Sequence, residues 1–322
     1  MTWAGPTTFA RRPLTRDLSG VDIAVVGVPF DNATTNRPGA RFGPRAIREM
    51  STLSGEYPDG LWPWEVDLFA THRVVDYADV AFAPGYTDQM LENVERAAGD
   101  VIDAGASVLG LGGDHLVAYP LLRAAAERFG PLSLIHLDAH SDTWEDPHRN
   151  HGTMFLEAAR AGLIDPARSI QIGMRTPNET HGFNVVWADE FLEQGVGPTV
   201  ARIHEIVGDR PAYLTVDIDF LDPAYAPGTG TPVVGGATTW QARQLLFGMR
   251  GLDIVGERER IQHIVNLLRN GGIPVCVFID PDLNQIKAAH KIAVDFVELH
   301  TGRYANATRS KEADTEFEAI SL

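Results

Sequence analysis

Short apolar runs rich in β-branched residues alternate along this chain with longer segments whose apolar residues recur at helical spacing. The alternation is typical of an α/β fold with a mostly parallel sheet, because each parallel strand needs a crossover before the next one. The apolar runs predict the strands Val21–Val28, Ala106–Leu111, Ser133–Leu137, Ser169–Ile172 and Ala212–Val216. A spacing near 3.6 residues predicts the helices Thr87–Gly105, Leu116–Phe129 and Thr238–Met249.

Length and charge narrow the class of protein. The 322 residues suit one large α/β domain or two smaller ones. A net charge of −16 argues against nucleic acid as a partner, and it suits either a cationic ligand or an ordinary acidic enzyme. The single cysteine, Cys276, excludes a disulfide framework. The sequence has no signal-peptide pattern and no apolar run long enough to span a membrane, so we expect a cytoplasmic protein without a membrane partner.

Polar clusters follow directly after two of the predicted strands. Gly112 and Gly113 permit a tight turn, after which His115 can point into the crevice outside the strand ends. Asp138, His140 and Asp142 follow Ser133–Leu137, and alternate side chains of an extended segment share one face. A cation would offset the cost of gathering three ionisable groups there. The alternative is a strand end with solvated carboxylates.

A third cluster follows the strand Ala212–Val216. Asp217 and Asp219 repeat the same spacing, and a Pro- and Gly-rich loop over residues 220–232 predicts a fixed wall beside them. The three clusters together offer two histidines and four carboxylates. Oxygen ligands with some imidazole favour manganese, magnesium or iron. Carboxylates that can bridge indicate a two-metal centre, which lowers the pKa of a bound water.

The remaining histidines differ in their promise. His151 lies in a polar loop after the second cluster, and its ordinary pKa near neutrality makes it a candidate proton shuttle. The alternative is a solvated loop histidine. His136 lies inside a predicted strand, which places it in the core. The other histidines have no partner cluster.

These motifs resemble the ureohydrolase family (arginase, agmatinase, guanidinobutyrase and relatives), with bacterial agmatinases most similar over about residues 20–256. The matching stretches are Gly112–His115, Asp138–Asp142, Asp217–Pro223 and Ala226–Pro232, supported by Phe30–Thr35, Arg41–Ile47 and His151–Phe155. The resemblance implies an arginase-like three-layer α/β/α sandwich and a catalytic domain over residues 1–256. It also implies a homo-oligomer, either a trimer or a hexamer.

The resemblance further implies two Mn²⁺ ions per subunit and assigns their ligands. By motif position, His115 and Asp142 would bind one ion, His140 and Asp219 the other, and Asp138 and Asp217 would bridge them. The bridging hydroxide would attack the guanidinium carbon of a small cationic substrate, with His151 assisting proton transfer and Asp142 counted with it as catalytic. The best match of substrate is agmatine, which would yield putrescine and urea.

Two alternatives to agmatine hydrolysis stay open. A guanidino acid such as 4-guanidinobutyrate would need an extra cation in the pocket, and Arg37, Arg41 and Arg175 lie in loops that could supply one. The second alternative is a metal-binding pseudoenzyme. Its motivation is that the family's next strand, whose glutamate holds the substrate guanidinium, is replaced after Gly256 by Glu257–Ile261.

The tail, residues 257–322, is foreign to that family and resembles an internal fragment of pyridoxine 5′-phosphate synthase, a TIM barrel. The similarity lies in Val275–Asp282, Gln285–Ala289 and Phe296–Gly302. Both families can carry a run like Gly251–Gly256, so a join there indicates a recombined or misassembled chain. A fragment cannot assemble a barrel site, so we predict no vitamin B6 chemistry.

The tail nevertheless has a regular pattern of its own. It predicts a helix, a strand, a second helix and a second strand: Arg258–Arg269, Val275–Ile279, Leu283–Ile292 and Phe296–Leu299. The first of these strands could occupy the missing sheet position. Asp280 or Asp282 would then lie near the place of the lost glutamate.

Overall fold

The computed structural model of the protein describes residues 4–56, 68–208, 210–249, 262, 265–266, 275–279, 283–294 and 296–299. The chain divides into two compact units. Unit 1 comprises Met1–Asp189 and Ile206–Thr238, and unit 2 comprises Glu190–Glu205 and Thr239–Leu322. The predicted domain boundary at residues 256 and 257 lies outside the described residues and stays a prediction.

Seven strands of unit 1, among its described residues, form two sheets in which every pair is parallel. They are β1 (Ile23–Gly27), β2 (Val74–Asp79), β3 (Ser107–Leu111), β4 (Ser133–Leu137), β5 (Ile170–Met174), β6 (Asn184–Trp187) and β7 (Ala212–Val216). The strand orders are β2-β1-β3 and β6-β5-β4-β7. The α/β class and the parallel direction are confirmed, and all five predicted strands are present.

The helices between these strands are mostly short. They are α1 (Gly43–Glu56), α2 (Leu68–Thr71), α3 (Thr87–Asp103), α4 (Ala118–Phe129), α5 (Met154–Arg160), α6 (Ala188–Gln194), α7 (Val196–Val207) and α8 (Thr239–Gly248). The three predicted helices correspond to α3, α4 and α8. In the part of the chain that the structure describes, no helix has the length and apolar character needed to cross a membrane.

Helices α3 and α4 pack against both sheets in one core. Met90 and Val94 of α3, Leu122 of α4, Val26 of β1 and Leu134 of β4 belong to the same cluster of buried residues. The helical spacing of its apolar residues gives α3 one continuous buried face. Because the same two helices cover strands from both sheets, one core holds the two sheets together.

The predicted single sheet is divided between β3 and β7. Each is an edge strand, and no strand of the described residues pairs with its outer side. Apolar side chains remain exposed there: Leu109 of β3 is 40% exposed and Leu214 of β7 is 46% exposed. Central strands bury both faces, as β4 does, so exposed apolar residues on β3 and β7 indicate a missing neighbour.

Strand β2 was not predicted from the sequence, because a carboxylate lies in its middle. Asp76 is fully buried and accepts hydrogen bonds from Arg48 Nε (2.8 Å), Arg48 Nη2 (3.0 Å) and the backbone N–H of Phe9 (2.8 Å). Arg48 also forms an ion pair with Asp79 at 2.5 Å. A buried carboxylate is tolerated where such partners satisfy it, and only tertiary contacts supply them.

The tail forms a strand–helix–strand unit. The strands β8 (Cys276–Ile279) and β9 (Phe296–Leu299) pair in parallel, and α9 (Leu283–Lys291) connects them. The three predictions for this segment are therefore confirmed to within one residue. Among the described residues β8 pairs with β9 alone, so the expectation that it fills the missing position of the larger sheet is wrong. The connection through α9 brings β9 alongside β8 instead.

A small apolar core accompanies this segment. Its buried residues are Val265, Val275, Val277, Ile279, Ala288, Ala289 and Ile292. Most of the predicted helix Arg258–Arg269 lies outside the described residues, although Gln262, Val265 and Asn266 are helical. Asp280 and Asp282 also lie outside them, so their suggested role stays a prediction.

Candidate metal centre

The predicted ligands come from the carboxyl ends of three strands. His115 begins a short 3-10 turn after β3, Asp138–Asp142 follows β4, and Asp217 and Asp219 follow β7. The turn before His115 requires glycine at Gly113, which has φ of +50° and where a Cβ would lie 2.3 Å from Phe30 O. The tight turn expected from the paired glycines is therefore present.

The segment after β4 is bent rather than extended, which corrects the basis of the prediction. Asp142 has φ of +51°, in the left-handed region. Asp138 Oδ1 accepts the backbone N–H of His140 at 2.7 Å, as in a turn capped by a short acidic side chain. Asp138, His140 and Asp142 still converge, but a bend brings them together.

The imidazole of His115 faces three carboxylates through one nitrogen. Its Nδ1 lies 3.0 Å from Asp138 Oδ2, 2.8 Å from Asp142 Oδ2 and 3.3 Å from Asp217 Oδ2. The other nitrogen, Nε2, lies 2.8 Å from Thr215 Oγ1 on β7. When Nε2 donates its proton to that hydroxyl, Nδ1 keeps the lone pair that a metal ion requires.

His140 faces a second pair of carboxylates. Its Nδ1 lies 3.3 Å from Asp138 Oδ1 and 3.1 Å from Asp219 Oδ2. Asp219 is further held by the backbone N–H of Ala139 at 3.1 Å and by Thr231 Oγ1 at 3.3 Å. Asp138 therefore directs one carboxylate oxygen to each imidazole, which is the arrangement of a carboxylate able to bridge two ions.

The residues fit a divalent cation better than they fit one another. His115 Nδ1 is buried and lacks a hydrogen-bond partner with acceptable geometry, although carboxylates surround it. Two groups bring their ligand atoms within 4.8 Å of one another: His115, His136, Asp138 and Asp142 in one, and Asp138, His140 and Asp219 in the other. Buried carboxylates and imidazoles with an orphaned nitrogen are the donor set of a metal site.

The pKa values of these groups show the same excess of negative charge. Burial and the charge of Asp138 raise the pKa of Asp142 to about 7. Burial, together with the charges of Asp138 and Asp217, raises the pKa of Asp219 to about 8. Burial opposes a charged imidazole, yet hydrogen bonds to Asp138 and Asp219 raise the pKa of His140 to about 10. A divalent cation would neutralise the carboxylates without these protons.

His136 is buried as predicted, but it is also part of this cluster. It is fully buried in β4, and its Nε2 lies 2.8 Å from Asp138 Oδ2. Burial lowers its pKa, so it is a neutral imidazole at neutral pH. His136 precedes Asp138 by two residues, so the alternation of a strand places both on one face. That spacing could have identified His136 from the sequence.

The structure does not support the alternative that His151 is a solvated loop residue. Its Nε2 accepts the backbone N–H of Thr35 at 3.0 Å and lies 2.8 Å from Thr35 Oγ1. The backbone N–H of His151 donates to Ala33 O at 3.2 Å. Burial and the charges of His115 and His140 lower the pKa of His151 to about 4, which leaves it neutral. Sequence reasoning missed Thr35, since 116 positions separate it from His151.

Two of the three candidate arginines are held by other groups. Arg41 donates to Asp31 Oδ1 at 2.5 Å through Nε and to Asn32 Oδ1 at 2.9 Å. Arg175 donates to the backbone oxygens of Gly173 at 3.0 Å and Val233 at 2.9 Å, and also to Asp219 O. Structural roles therefore occupy Arg41 and Arg175, which leaves Arg37 as the candidate for an added cation.

Comparison with known families agrees with this geometry. A sequence profile of the Arginase family matches residues 21–257. The chain belongs to that family. Membership makes it a ureohydrolase-type enzyme, and the cluster of histidines and aspartates suits a divalent metal. A second profile, Pyridoxal phosphate biosynthesis protein PdxJ, matches residues 241–322 and so confirms the second origin of the tail.

Individual relatives support the same assignment for this Arginase-family chain. It is 47% identical over 260 residues to an agmatinase of Chromobacterium violaceum, covering 79% of this chain and 80% of the relative. A hypothetical agmatinase of Burkholderia thailandensis has a similar solved structure, with a TM-score of 0.75, 49% identity, and coverage of 77% and 80%. Proclavaminate amidino hydrolase of Streptomyces clavuligerus follows with a TM-score of 0.72, 41% identity, and coverage of 77% and 85%.

Proposed function

We propose that unit 1 hydrolyses the guanidinium group of agmatine to putrescine and urea at a pair of Mn²⁺ ions. The observation that carries the proposal is the position of Asp138, whose two carboxylate oxygens lie 3.0 Å and 3.3 Å from the Nδ1 atoms of His115 and His140. A buried carboxylate between two imidazoles is the centre of a two-ion site. The similarity to agmatinases supports the choice of reaction.

The contacts support one assignment of ligands. His115 and Asp142, which lie 2.8 Å apart, would hold one ion, and His140 and Asp219, at 3.1 Å, the other. Asp138 would bridge the ions. Asp217 would be the second bridge: its Oδ2 faces His115 at 3.3 Å, and its Oδ1 accepts the backbone N–H of Asp219 at 2.9 Å. Carboxylate and imidazole ligands favour manganese over zinc and magnesium.

The residues around the ions would handle the proton. A divalent pair supplies a bound water whose pKa is lowered toward neutrality. The Nε2 lone pair of His151 accepts the backbone N–H of Thr35, so the ring proton resides on Nδ1. From there His151 would donate a proton to the departing amine and recover one from water. Asp142, beside His115, would help to hold the attacking oxygen.

The substrate chemistry follows from charge. The site gathers four carboxylates, while Arg41 and Arg175 are held by other residues. A cationic guanidino amine such as agmatine suits this arrangement better than a guanidino acid. The alternative substrate, 4-guanidinobutyrate, would depend on Arg37. The similarity to an enzyme named for proclavaminate keeps that alternative in the test.

The pseudoenzyme alternative rests on the missing strand. The resemblance to the family predicts a substrate glutamate beyond Gly256, and β3 and β7 have no strand between them in the described part of unit 1. Losing a charged contact to a guanidinium costs about 2–4 kcal/mol of transition-state binding, or roughly two to three orders of magnitude in rate. Such a loss slows the reaction without preventing metal binding.

Urea release from agmatine, arginine and 4-guanidinobutyrate, each with added Mn²⁺, tests the proposal. We expect agmatine to give the highest kcat/KM, and Arg37→Ala to leave it within about twofold because a cationic substrate does not use that residue. A preference for 4-guanidinobutyrate that Arg37→Ala abolishes would replace agmatine as substrate. Bound Mn²⁺ without urea from any substrate would establish the pseudoenzyme.

Three further expectations stay proposals. We expect the catalytic domain to end near residue 256, the protein to be cytoplasmic, and the subunits to form a trimer or hexamer as the family resemblance implies. Light scattering of the purified chain tests the last. A monomer that releases urea would show that the oligomer is dispensable.

A further inference from the structure

A chain of buried hydrogen bonds leads from the β5 strand to the carboxylate of Asp138. Gln171 of β5 donates from Nε2 to Ser141 O at 2.6 Å, and the same nitrogen lies 3.1 Å from His136 Nδ1. His136 Nε2 lies 2.8 Å from Asp138 Oδ2. Gln171, His136 and Asp138 are at most 1% exposed, so solvent cannot replace any of these partners.

The direction of every bond in this chain follows from one contact. The atom of Gln171 that faces the carbonyl oxygen of Ser141 must be the amide nitrogen, because the reverse orientation would bring two acceptors to 2.6 Å. That nitrogen also faces His136 Nδ1, which must then carry the lone pair. The ring proton therefore resides on Nε2 and is donated to Asp138 Oδ2, and the imidazole is neutral.

Asp138 consequently has one protein donor for each carboxylate oxygen. His136 Nε2–H holds Oδ2, and the backbone N–H of His140 holds Oδ1 at 2.7 Å. Each oxygen keeps further lone-pair capacity on the side of an imidazole, Oδ2 toward His115 and Oδ1 toward His140. The carboxylate is therefore fixed in the orientation that bridging needs before an ion arrives.

We propose that His136, aligned by Gln171, is a positioning residue that orients the bridging carboxylate of Asp138 and selects which of its lone pairs receive metal. This inference rests on the proposed metal centre and deepens it. Ring packing supports the role, because the His136 ring lies 4.7 Å from the Phe155 ring and 5.2 Å from the His115 ring, centroid to centroid. These contacts leave the imidazole little freedom to rotate.

The first test is the tautomer of His136 in the metal-free protein. Nitrogen-15 NMR of histidine-labelled protein distinguishes Nε2–H from Nδ1–H, and the signal is assigned by its loss in His136→Phe. We expect Nε2–H in the wild type. In Gln171→Glu, which replaces the donor by an acceptor of the same shape, we expect a proton on Nδ1. A wild-type Nδ1–H tautomer would overturn the proposal.

The second test is Mn²⁺ affinity by calorimetry. Partners of ligating groups contribute about ten- to a hundredfold to metal affinity, so we expect losses of that size in His136→Phe and Gln171→Glu. Gln171→Met keeps the shape without the donor and should lie between them and the wild type. His148→Phe, which changes an exposed loop histidine, is the matched control and should bind normally.

The outcomes separate this inference from the proposed function. Normal Mn²⁺ affinity in both Gln171→Glu and a folded His136→Phe would overturn it, whatever the activity. If His136→Phe fails to fold, the two Gln171 variants decide. If the tautomer and the affinities are as expected but no guanidino substrate releases urea, the positioning role stands and only the proposed reaction fails.

Discussion

The part of the chain that matches the Arginase family and the part that matches PdxJ follow the same local rules but differ in what their strands bring together. In unit 1, β3, β4 and β7 end at a single cluster of histidines and aspartates. In the tail, β8 and β9 form one parallel pair with its connecting helix. A strand–helix–strand segment can form from its own pattern, whereas a site requires several strand ends.

The two regions also differ in how their strands are completed. The tail pairs its two described strands with each other. Unit 1 leaves β3 and β7 as edges, with Leu109 and Leu214 exposed. The join near residue 251 therefore preserved the metal ligands, which precede it in the chain, and removed the element that the family places after them. Five experiments test this division of roles.

The largest effect should come from the bridging carboxylate. Asp138→Asn keeps the shape but removes the charge that would bind both ions, and metal-ion catalysis is worth several kcal/mol, so we expect at least about a thousandfold loss of urea release. Metal content, measured after gel filtration, should fall with it. Lys291→Ala in the tail is the control and should change neither quantity. Full activity in Asp138→Asn would remove the basis of the proposed site.

Next in size is the buried ion pair of β2. Arg48→Ala leaves the buried carboxylate of Asp76 without its charged partner, which typically costs about 3–5 kcal/mol of the free energy of unfolding. Denaturant unfolding followed by circular dichroism measures it. The matched control is Arg160→Ala, whose pair with Glu145 is exposed at 63% and 65% and should be worth less than about 1 kcal/mol. Equal losses in the two variants would contradict this account.

Replacing the tail tests the comparison directly. Exchanging the residues after Gly256 for the corresponding end of an agmatinase relative should raise kcat/KM for agmatine by about two to three orders of magnitude, because it restores a charged guanidinium contact. Mn²⁺ affinity should change little, since the proposed ligands all precede the exchange. A chimera with unchanged kcat/KM would show that the missing strand does not limit this chain.

The pH dependence of stability should report the buried state of His151. Burial, with the nearby charges of His115 and His140, lowers its pKa from 6.5 to about 4, so the unfolded chain binds more protons than the folded one between these values. The free energy of unfolding should therefore fall as pH drops from 6.5 toward 4. In His151→Gln the fall should be shallower by at most about 1.4 kcal/mol per pH unit. Identical slopes in metal-free protein would show that His151 is accessible to protons.

The smallest effect concerns Thr35. Thr35→Val removes the hydroxyl beside His151 Nε2 but keeps the backbone donor, so the loss is one neutral hydrogen bond of about 0.5–1.5 kcal/mol and about a three- to tenfold lower kcat. KM should change little, because the contact orients His151 rather than the substrate. Thr35→Ser restores the hydroxyl and should recover kcat. A serine variant as slow as valine would exclude the hydroxyl as the cause.

Local pattern by itself determined most of the elements and the six proposed ligands. The apolar runs before residue 217 place β3, β4 and β7, and ligands follow each of them because parallel strands present their carboxyl ends at one edge. The spacing of Met90, Leu91 and Val94 places α3. The same kind of pattern predicted the strand–helix–strand segment of the tail, since that structure depends on nearby residues.

Only the tertiary structure decided the features that depend on distant partners. Asp76 became a strand residue because Arg48 neutralises it, and His151 became a buried, neutral group because Thr35 approaches its ring. His136 joined the site because Gln171, on the neighbouring strand, directs its proton toward Asp138. Such contacts fix protonation and orientation through geometry across the fold, which spacing along the chain does not encode.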